Sequence, residues 1–371
     1  MPRVPLSVLD LATVREGHSS ADALRGTIET ARTADDLGYA RFWVAEHHNM
    51  PAVAATSPPV LIAAVAAQTR RIRVGSGGVM LPNHMPFVVA EQFALLEALH
   101  PNRIDLGIGR APGTDQATAA ALRGVSPYLT VEQFPEHLTT LLGLLSPGSA
   151  SLRGDRLVTG DLRPGTTTAH PAAAAPPHKS PAAIAGPSDE GWLRATPAPE
   201  TYPEIWMLGS STYGAQVAAA LGLPFCYAYH FVVGSDVDTA LRLYRDGFRP
   251  SPRLAAPHAM VSASVIAAET TEEAQYLAGP SRIMALSLRT GRLGPIVSPE
   301  TAAAVELSDL DRGVLDQLPG TQYAGTAEEV VAGLDALVER TGADELILAG
   351  SVYDPATRQE SLARIAKAWG L

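Results

Sequence analysis

Cysteine is nearly missing from the sequence: 371 residues contain one, Cys226. A lone thiol excludes an internal disulfide framework and any cysteine-built metal cluster. Lysine is almost as scarce, with only Lys179 and Lys367, so arginine supplies nearly all the positive charge. The net charge is −10 and the pI about 5.5. No basic face is implied, which argues against a nucleic-acid partner. Long apolar runs are absent as well. The N-terminal apolar stretch from Val4 to Val14 is broken by Asp10 and is too short to span a bilayer. No small-residue cleavage site follows it, so a soluble, cytoplasmic protein without membrane association is expected. What is present is a hydrophobic fraction of 46% with 18% charged residues. A chain of this length and composition buries a substantial core, which excludes disorder as its main state.

Short apolar runs alternate with helical stretches. Strands are expected at Val4–Leu9, Arg41–Ala45, Ile72–Ser76, Ile104–Ile108, Ile205–Leu208, Pro224–Tyr229, His258–Ala267 and Asp344–Ala349. Helices are expected at Ala21–Leu37, Pro59–Arg70, Phe87–Leu99, Tyr213–Leu221, Val237–Phe248, Glu272–Arg289, from Gly325 to Arg340 and at Pro355–Trp369. Ser19 or Ser20 is a suitable cap for the first helix, and Gly38 a suitable stop. Strand–helix order of this kind implies parallel strands with right-handed crossovers. Eight such units favour one closed (β/α)8 TIM barrel in a single domain, 1–371, over an open doubly wound sheet. The first strand is not followed by G-x-G-x-x-G, which weakens a Rossmann reading. The Pro/Ala-rich segment 151–203 is a poor strand or helix former and reads as an insertion between strands four and five, either a lid or a passive loop. Segment 275–324 reads as a second, irregular or helical insertion.

Chemistry in such a barrel lies at the carboxyl ends of the strands. Strand two ends in Ala45-Glu-His-His-Asn49. Neighbouring strand residues point to opposite sides, so only one of His47 and His48 faces the barrel mouth. A histidine there is suited to trading a proton near neutral pH; a packed, satisfied imidazole is the plainer alternative. Strand three ends in Gly75-Ser-Gly-Gly78, which serves either a tight turn or a flat ligand lying against bare backbone. Strand four ends in Gly107-Ile-Gly-Arg-Ala-Pro-Gly-Thr-Asp115, where Arg110 suits an anion or a surface salt bridge. Strand five ends in Leu208-Gly-Ser-Ser-Thr-Tyr-Gly214 ahead of a helix. Serines there cap a helix or, with its free N–H groups, hold a phosphate. Leu9, Met80, Tyr229 and His230 fall near strand ends as candidate pocket walls. An aromatic substrate near Tyr227 and Tyr229 competes with simple core packing of those rings.

These segments together, with Val74-Gly-Ser-Gly-Gly-Val-Met-Leu-Pro-Asn83 and the closing Gly325-Thr-Ala-Glu-Glu-Val330 and Thr341-Gly-Ala-Asp-Glu-Leu-Ile-Leu348, resemble the bacterial luciferase-like flavin monooxygenase family. The resemblance covers residues 4 to about 130, 205 to 235 and 325 to 367. It implies a (β/α)8 barrel binding reduced FMN, or in some branches the deazaflavin F420. By resemblance His47 is the catalytic histidine and Glu46 its acidic neighbour. Gly77-Gly78 matches the site of a non-prolyl cis peptide against the flavin ring. Arg110 matches the phosphate-binding arginine, and Gly209, Ser210, Ser211 and Gly214 the second phosphate and ring-edge segment, with a one-residue shift in that loop. Pro112 stands where a backbone N–H often helps hold the phosphate, so Gly113 or Thr114 has to substitute. The implied reaction is oxygenation of a small organic substrate, a secondary metabolite among the candidates, by O2 through a C4a-peroxyflavin. The implied partners are a separate NAD(P)H:flavin reductase and a second copy of the chain, with helices Ala54–Ala67 and Phe87–Leu99 available for a homodimer.

Three rivals remain. An F420-dependent enzyme would share the barrel and the histidine but transfer a hydride. A non-catalytic flavin-binding barrel would not need Glu46-His47. A hydrolase would need paired carboxylates, and Asp10, Glu46 and Asp105 form no evident pair. No metal is expected, because Glu46-His47-His48 is the only compact set of ligand-type residues.

Overall fold

Parallel pairing runs through every one of the eight expected strands. In a computed structural model, which describes residues 3–111, 113–124, 129–146, 150–153, 156–159, 195–198, 200–231, 236–316 and 322–371, they are β1 (Leu6–Asp10), β2 (Arg41–Val44), β3 (Arg73–Met80), β4 (Ile104–Gly109), β5 (Glu204–Gly209), β6 (Phe225–Tyr227), β7 (Ala259–Ala268) and β8 (Glu345–Ala349). Each pairs with the next, and β8 returns to β1 in the register Leu6↔Leu346, which closes the barrel. The outer ring consists of α1 (Ser20–Leu37), α2 (Pro58–Ala66), α3 (Pro86–Leu99), α4 (Phe134–Leu144), α5 (Thr212–Leu221), α6 (Val237–Gly247), α7 (Ala327–Thr341) and α8 (Pro355–Trp369).

Local chemistry sets the element ends. Ser19 caps α1 in a capping box with Asp22, and Gly38 ends it in the left-handed region at φ 89°. Thr326 and Glu329 form a second capping box at the start of α7.

Alternation along the strands divides two cores. Phe42 and Val44 face the helices in the larger outer layer. Trp43 joins Leu9, Trp206, Cys226, Met260 and Ile347 inside the barrel. Below them Arg41 pairs with Asp105 at 2.9 Å, Glu204 at 2.9 Å and Glu345 at 3.1 Å. The Trp43 indole N–H donates to Asp105 at 2.9 Å. These partners satisfy a mid-strand carboxylate that is fully buried.

Two expectations need correction. Residues 150–153 and 156–159 form an antiparallel hairpin, although their stretch reads as a poor strand former. The remaining insertion, 160–194, lies outside the described residues. In the second insertion, helices Thr271–Thr290, Pro299–Ala304 and Asp309–Asp316 are followed by a strand, Gln322–Thr326. That strand pairs in parallel with β7 through Gln322↔Ser264 to Thr326↔Ala268, where the sequence suggested irregular chain and then a helix start. A five-residue strand holding a glycine leaves little periodic signal, and its hydrogen bonds to the long β7 edge supply what propensity does not.

Candidate active site

The carboxyl end of β2 separates its two histidines as alternation requires. His47 continues the inward parity of Arg41 and Trp43, and Glu46 and His48 turn the other way. The His47 N–H donates to the Ala55 carbonyl at 2.9 Å, which fixes its backbone. Its Nδ1 is buried and has no hydrogen-bond partner among the described residues. Burial pushes the His47 imidazole below the ordinary histidine range, with the Glu46 charge opposing and His48 adding to the fall. His47 is therefore a neutral base at neutral pH with one nitrogen open.

Glu46 is fully buried. One of its oxygens accepts from His48 Nε2 at 2.8 Å and His84 Nε2 at 2.7 Å, and the other accepts from the Met80 N–H at 3.0 Å. Despite its burial, these bonds hold its carboxyl below the usual range. The compact ligand-type set is thus Glu46, His48 and His84, and not the consecutive trio. Both imidazoles sit at hydrogen-bond lengths that require a hydrogen on Nε2, the atom a metal would have to displace. His84 was not singled out in the sequence. It follows the short 3-10 turn Leu81–Asn83 after β3, and nothing in the local sequence marks it.

At the end of β3 the Gly77-Gly78 peptide is cis, as the resemblance implied. The pairing to β4 slips by one residue between Ser76 and Val79, so the two glycines form a bulge. A Cβ on Gly77 would stand 2.6 Å from Leu9 Cδ1, and one on Gly78 2.8 Å from the Gly107 carbonyl. The backbone there is bare because no side chain fits.

Arg110, at the end of β4, is exposed and forms no ion pair with a carboxylate among the described residues. Its guanidinium lies 4.3 Å from the ring centre of Tyr213, in the first turn of α5. Ser211 is the N-cap residue of α5, but its side chain makes no capping bond. An arginine and an uncapped helix N-terminus therefore converge, which is the chemistry of an anion site. Ser210 is tied from behind, its carbonyl accepting from the Tyr227 hydroxyl at 3.2 Å. Gly209 and Gly214 pack against each other, a Cβ on Gly214 standing 3.5 Å from Gly209 Cα. Gly214 is buried and shapes the loop from beneath. Gly113 takes φ +64° over Met80 and the Glu46 carbonyl, and Thr114 donates to the His48 carbonyl at 3.0 Å. Pro112 lies outside the described residues.

The pocket-wall candidates divide. Leu9 is inside the barrel against Gly77. Met80 lines the Gly109–Gly113 side. His230 sits on the turn after β6, close enough to His47 for the two imidazoles to interact. Tyr229 does not belong with them: Arg340 of α7 lies 5.2 Å from its ring centre, in the outer layer. Tyr227 also faces outward and is fully buried, so neither ring supplies an aromatic wall. Consecutive residues diverge, and His230 takes the inward direction that Tyr229 cannot. Ser262, not anticipated from the sequence, lies beneath His230 on β7.

The hydrolase reading loses its acids. Asp10 is buried against Arg358 and Thr27, Asp105 against Arg41 and Arg73, and Glu46 against two histidines. No two of them share a site.

A closed parallel barrel whose one mouth gathers a buried histidine, bare glycine backbone and an arginine beside an uncapped helix N-terminus defines a (β/α)8 barrel with its candidate site at the carboxyl ends of the strands. The model of the luciferase-like monooxygenase family matches residues 4–345, and the chain belongs to that family. YvbT of Bacillus subtilis (strain 168) is 38% identical over 98% of this chain and 96% of its own length. The N-acetyl-S-alkylcysteine monooxygenase of the same organism is 36% identical over 90% of this chain and 89% of its own. The crystal structure of apo-MsnO8 superposes with a TM-score of 0.82 at 33% identity, covering 100% of this chain and 99% of that one. More distant structures of the fold include one with FMN and one with an F420 adduct, so the fold by itself admits either. Among the described residues no helix is long and apolar enough to cross a membrane.

Proposed function

We propose that the chain is the oxygenating component of a two-component monooxygenase that uses reduced FMN and O2 on a small organic substrate. The observation that carries the reading is the convergence of Arg110 and the uncapped α5 N-terminus at the mouth that also holds His47. Arg110, Ser210 and Ser211 would hold the FMN phosphate, with Gly113 on the same rim. Gly77 and Gly78 would let the ring lie against backbone. Bound reduced FMN supplies the electrons that activate O2. His47, with its buried and unpartnered Nδ1, accepts and returns a proton at the reacting centre. The apolar interior around Leu9, Trp43 and Trp206 excludes water beneath the site. Glu46 acts at one remove, because its carboxylate is fully engaged by His48, His84 and the Met80 N–H. It ties the His47 segment to the strand that carries Gly77-Gly78.

FMN is favoured over F420 because the sequence shows no clear extra basic cluster for a long anionic tail. Reduced cofactor then comes from a separate NAD(P)H:flavin reductase. Helices α2 and α3 leave Val60, Val88, Leu95 and Leu99 between 49% and 71% exposed, and a second copy of the chain would cover that face. The substrate screen starts with S-alkylated cysteine derivatives, the class in the name of the 36%-identical relative.

Calorimetric titration with FMN and with F420 tests the cofactor. FMN binding that weakens about tenfold or more in Arg110→Ala is expected, the loss of a charge-assisted hydrogen bond to phosphate. Tighter binding of F420 would replace this reading with hydride transfer.

A further inference from the structure

Arg110 follows β4, and Tyr213 stands in the first turn of α5, after the neighbouring strand β5. The Arg110 guanidinium carbon lies over the Tyr213 ring, 4.3 Å from its centre. Tyr213 is half-buried against the outer core, whereas Arg110 is exposed. The ring is thus the anchored partner. An exposed arginine samples many rotamers, and fixing one of them on meeting an anion lowers affinity. Elsewhere in the chain Arg15, Arg41, Arg73 and Arg358 are each fixed by a carboxylate. A carboxylate beside Arg110 would hold the side chain but occupy the donor fork that an anion needs. A ring face attracts the cation and offers no lone pair to its N–H groups. Contact with Tyr213 therefore restrains the charge without competing for its donors.

From this contact we propose that Tyr213 is a positioning residue that holds the Arg110 guanidinium toward the cofactor's phosphate, and so helps the site tell FMN from riboflavin. The phosphate role of Arg110 rests on the flavin reading above; the restraint of Arg110 by the ring does not. Tyr213 acts through Arg110 and not on the flavin ring, so its effect is confined to ligands that carry a phosphate. Riboflavin has the same ring and ribityl chain without the phosphate, and it reports on the ring seat alone. Phenylalanine at position 213 keeps the aromatic face, and leucine removes it.

The first test labels the full chain with 15N at arginine and needs no flavin. The Nε–H signal lost in Arg110→Lys identifies Arg110. In wild type that signal is expected upfield of the other exposed arginines, through the ring current of Tyr213, and at an ordinary position in Tyr213→Leu. An ordinary position in wild type would overturn the restraint. The second test titrates oxidised FMN and riboflavin into wild type, Tyr213→Leu and Tyr213→Phe by calorimetry. Tyr213→Leu should weaken FMN about threefold, the worth of one exposed cation–ring contact, and leave riboflavin unchanged. Tyr213→Phe should bind both as wild type does. Equal losses for FMN and riboflavin would make Tyr213 a support of the fold alone, and unchanged FMN affinity in Tyr213→Leu would show that Arg110 does not need the ring; either result overturns the proposal. If wild type binds FMN no more tightly than riboflavin, the phosphate reading of Arg110 falls and the positioning role falls with it, while the arginine resonance still decides the restraint.

Discussion

At the scale of single residues the account rests on the buried imidazole of His47. His47→Ala should lower oxygenation by about 100-fold or more, the range of general acid–base catalysis, while FMN affinity stays within about threefold. Stopped-flow turnover and flavin titration on one preparation separate the two effects. Unchanged turnover would remove His47 from the chemistry. His230 also marks stability. Its folded pKa of about 4 lies below the ordinary 6.5, so the unfolded chain takes up the proton first as pH falls. Stability should therefore be fully present above about 6.5 and decline between 6.5 and 4, with Glu46 adding a further loss below its ordinary carboxyl range. Urea unfolding across that window should show a shallower decline for His230→Gln than for wild type; parallel curves would deny the shift.

At the scale of elements, close backbone approach decides what is tolerated. A Cβ on Gly107 would stand 2.1 Å from the Ser76 carbonyl, a backbone atom that cannot rotate away. Gly107→Ala should destabilise the β3–β4 pair by about 1–3 kcal/mol or more, the usual cost of overpacking. Thermal melting would show it, and an unchanged midpoint would mean the strands part more easily than this. Thr326→Ala removes the α7 capping box and should cost about 1 kcal/mol. The elements were legible in the sequence to differing degrees. All eight barrel strands announce themselves, because a doubly covered strand is a short apolar run, and so do the outer helices except α4 and the short helix Gln116–Arg123, which are not anticipated after β4. Strand Gln322–Thr326 does not, because it exists through pairing with β7. At the site, motif order marked His47, Gly77, Gly78 and Arg110. Ser262, from a distant strand, and His84 reach the site only through the fold, and nothing local distinguishes them. Tyr229 was misplaced for a related reason: whether a residue after a strand end points inward depends on where the strand stops.

At the scale of the whole molecule, α2 carries no charged residue, yet Val60 on it is 71% exposed. A helix apolar on every side is a helix that something covers. Leu95→Glu with Val88→Glu should convert a dimer to a monomer in sedimentation at constant far-ultraviolet dichroism; a wild type that sediments as a monomer would contradict this assembly. The central claim is narrower, that this barrel mouth holds reduced FMN and turns it toward oxygen. Rapid mixing of the protein and photoreduced FMN with oxygenated buffer tests it most directly. A protein-bound absorbance distinct from oxidised and reduced FMN, lasting well beyond the reoxidation of free flavin and lost in Arg110→Ala at low FMN, is the predicted result. Reoxidation at the rate of free FMN, with no bound species, would contradict it.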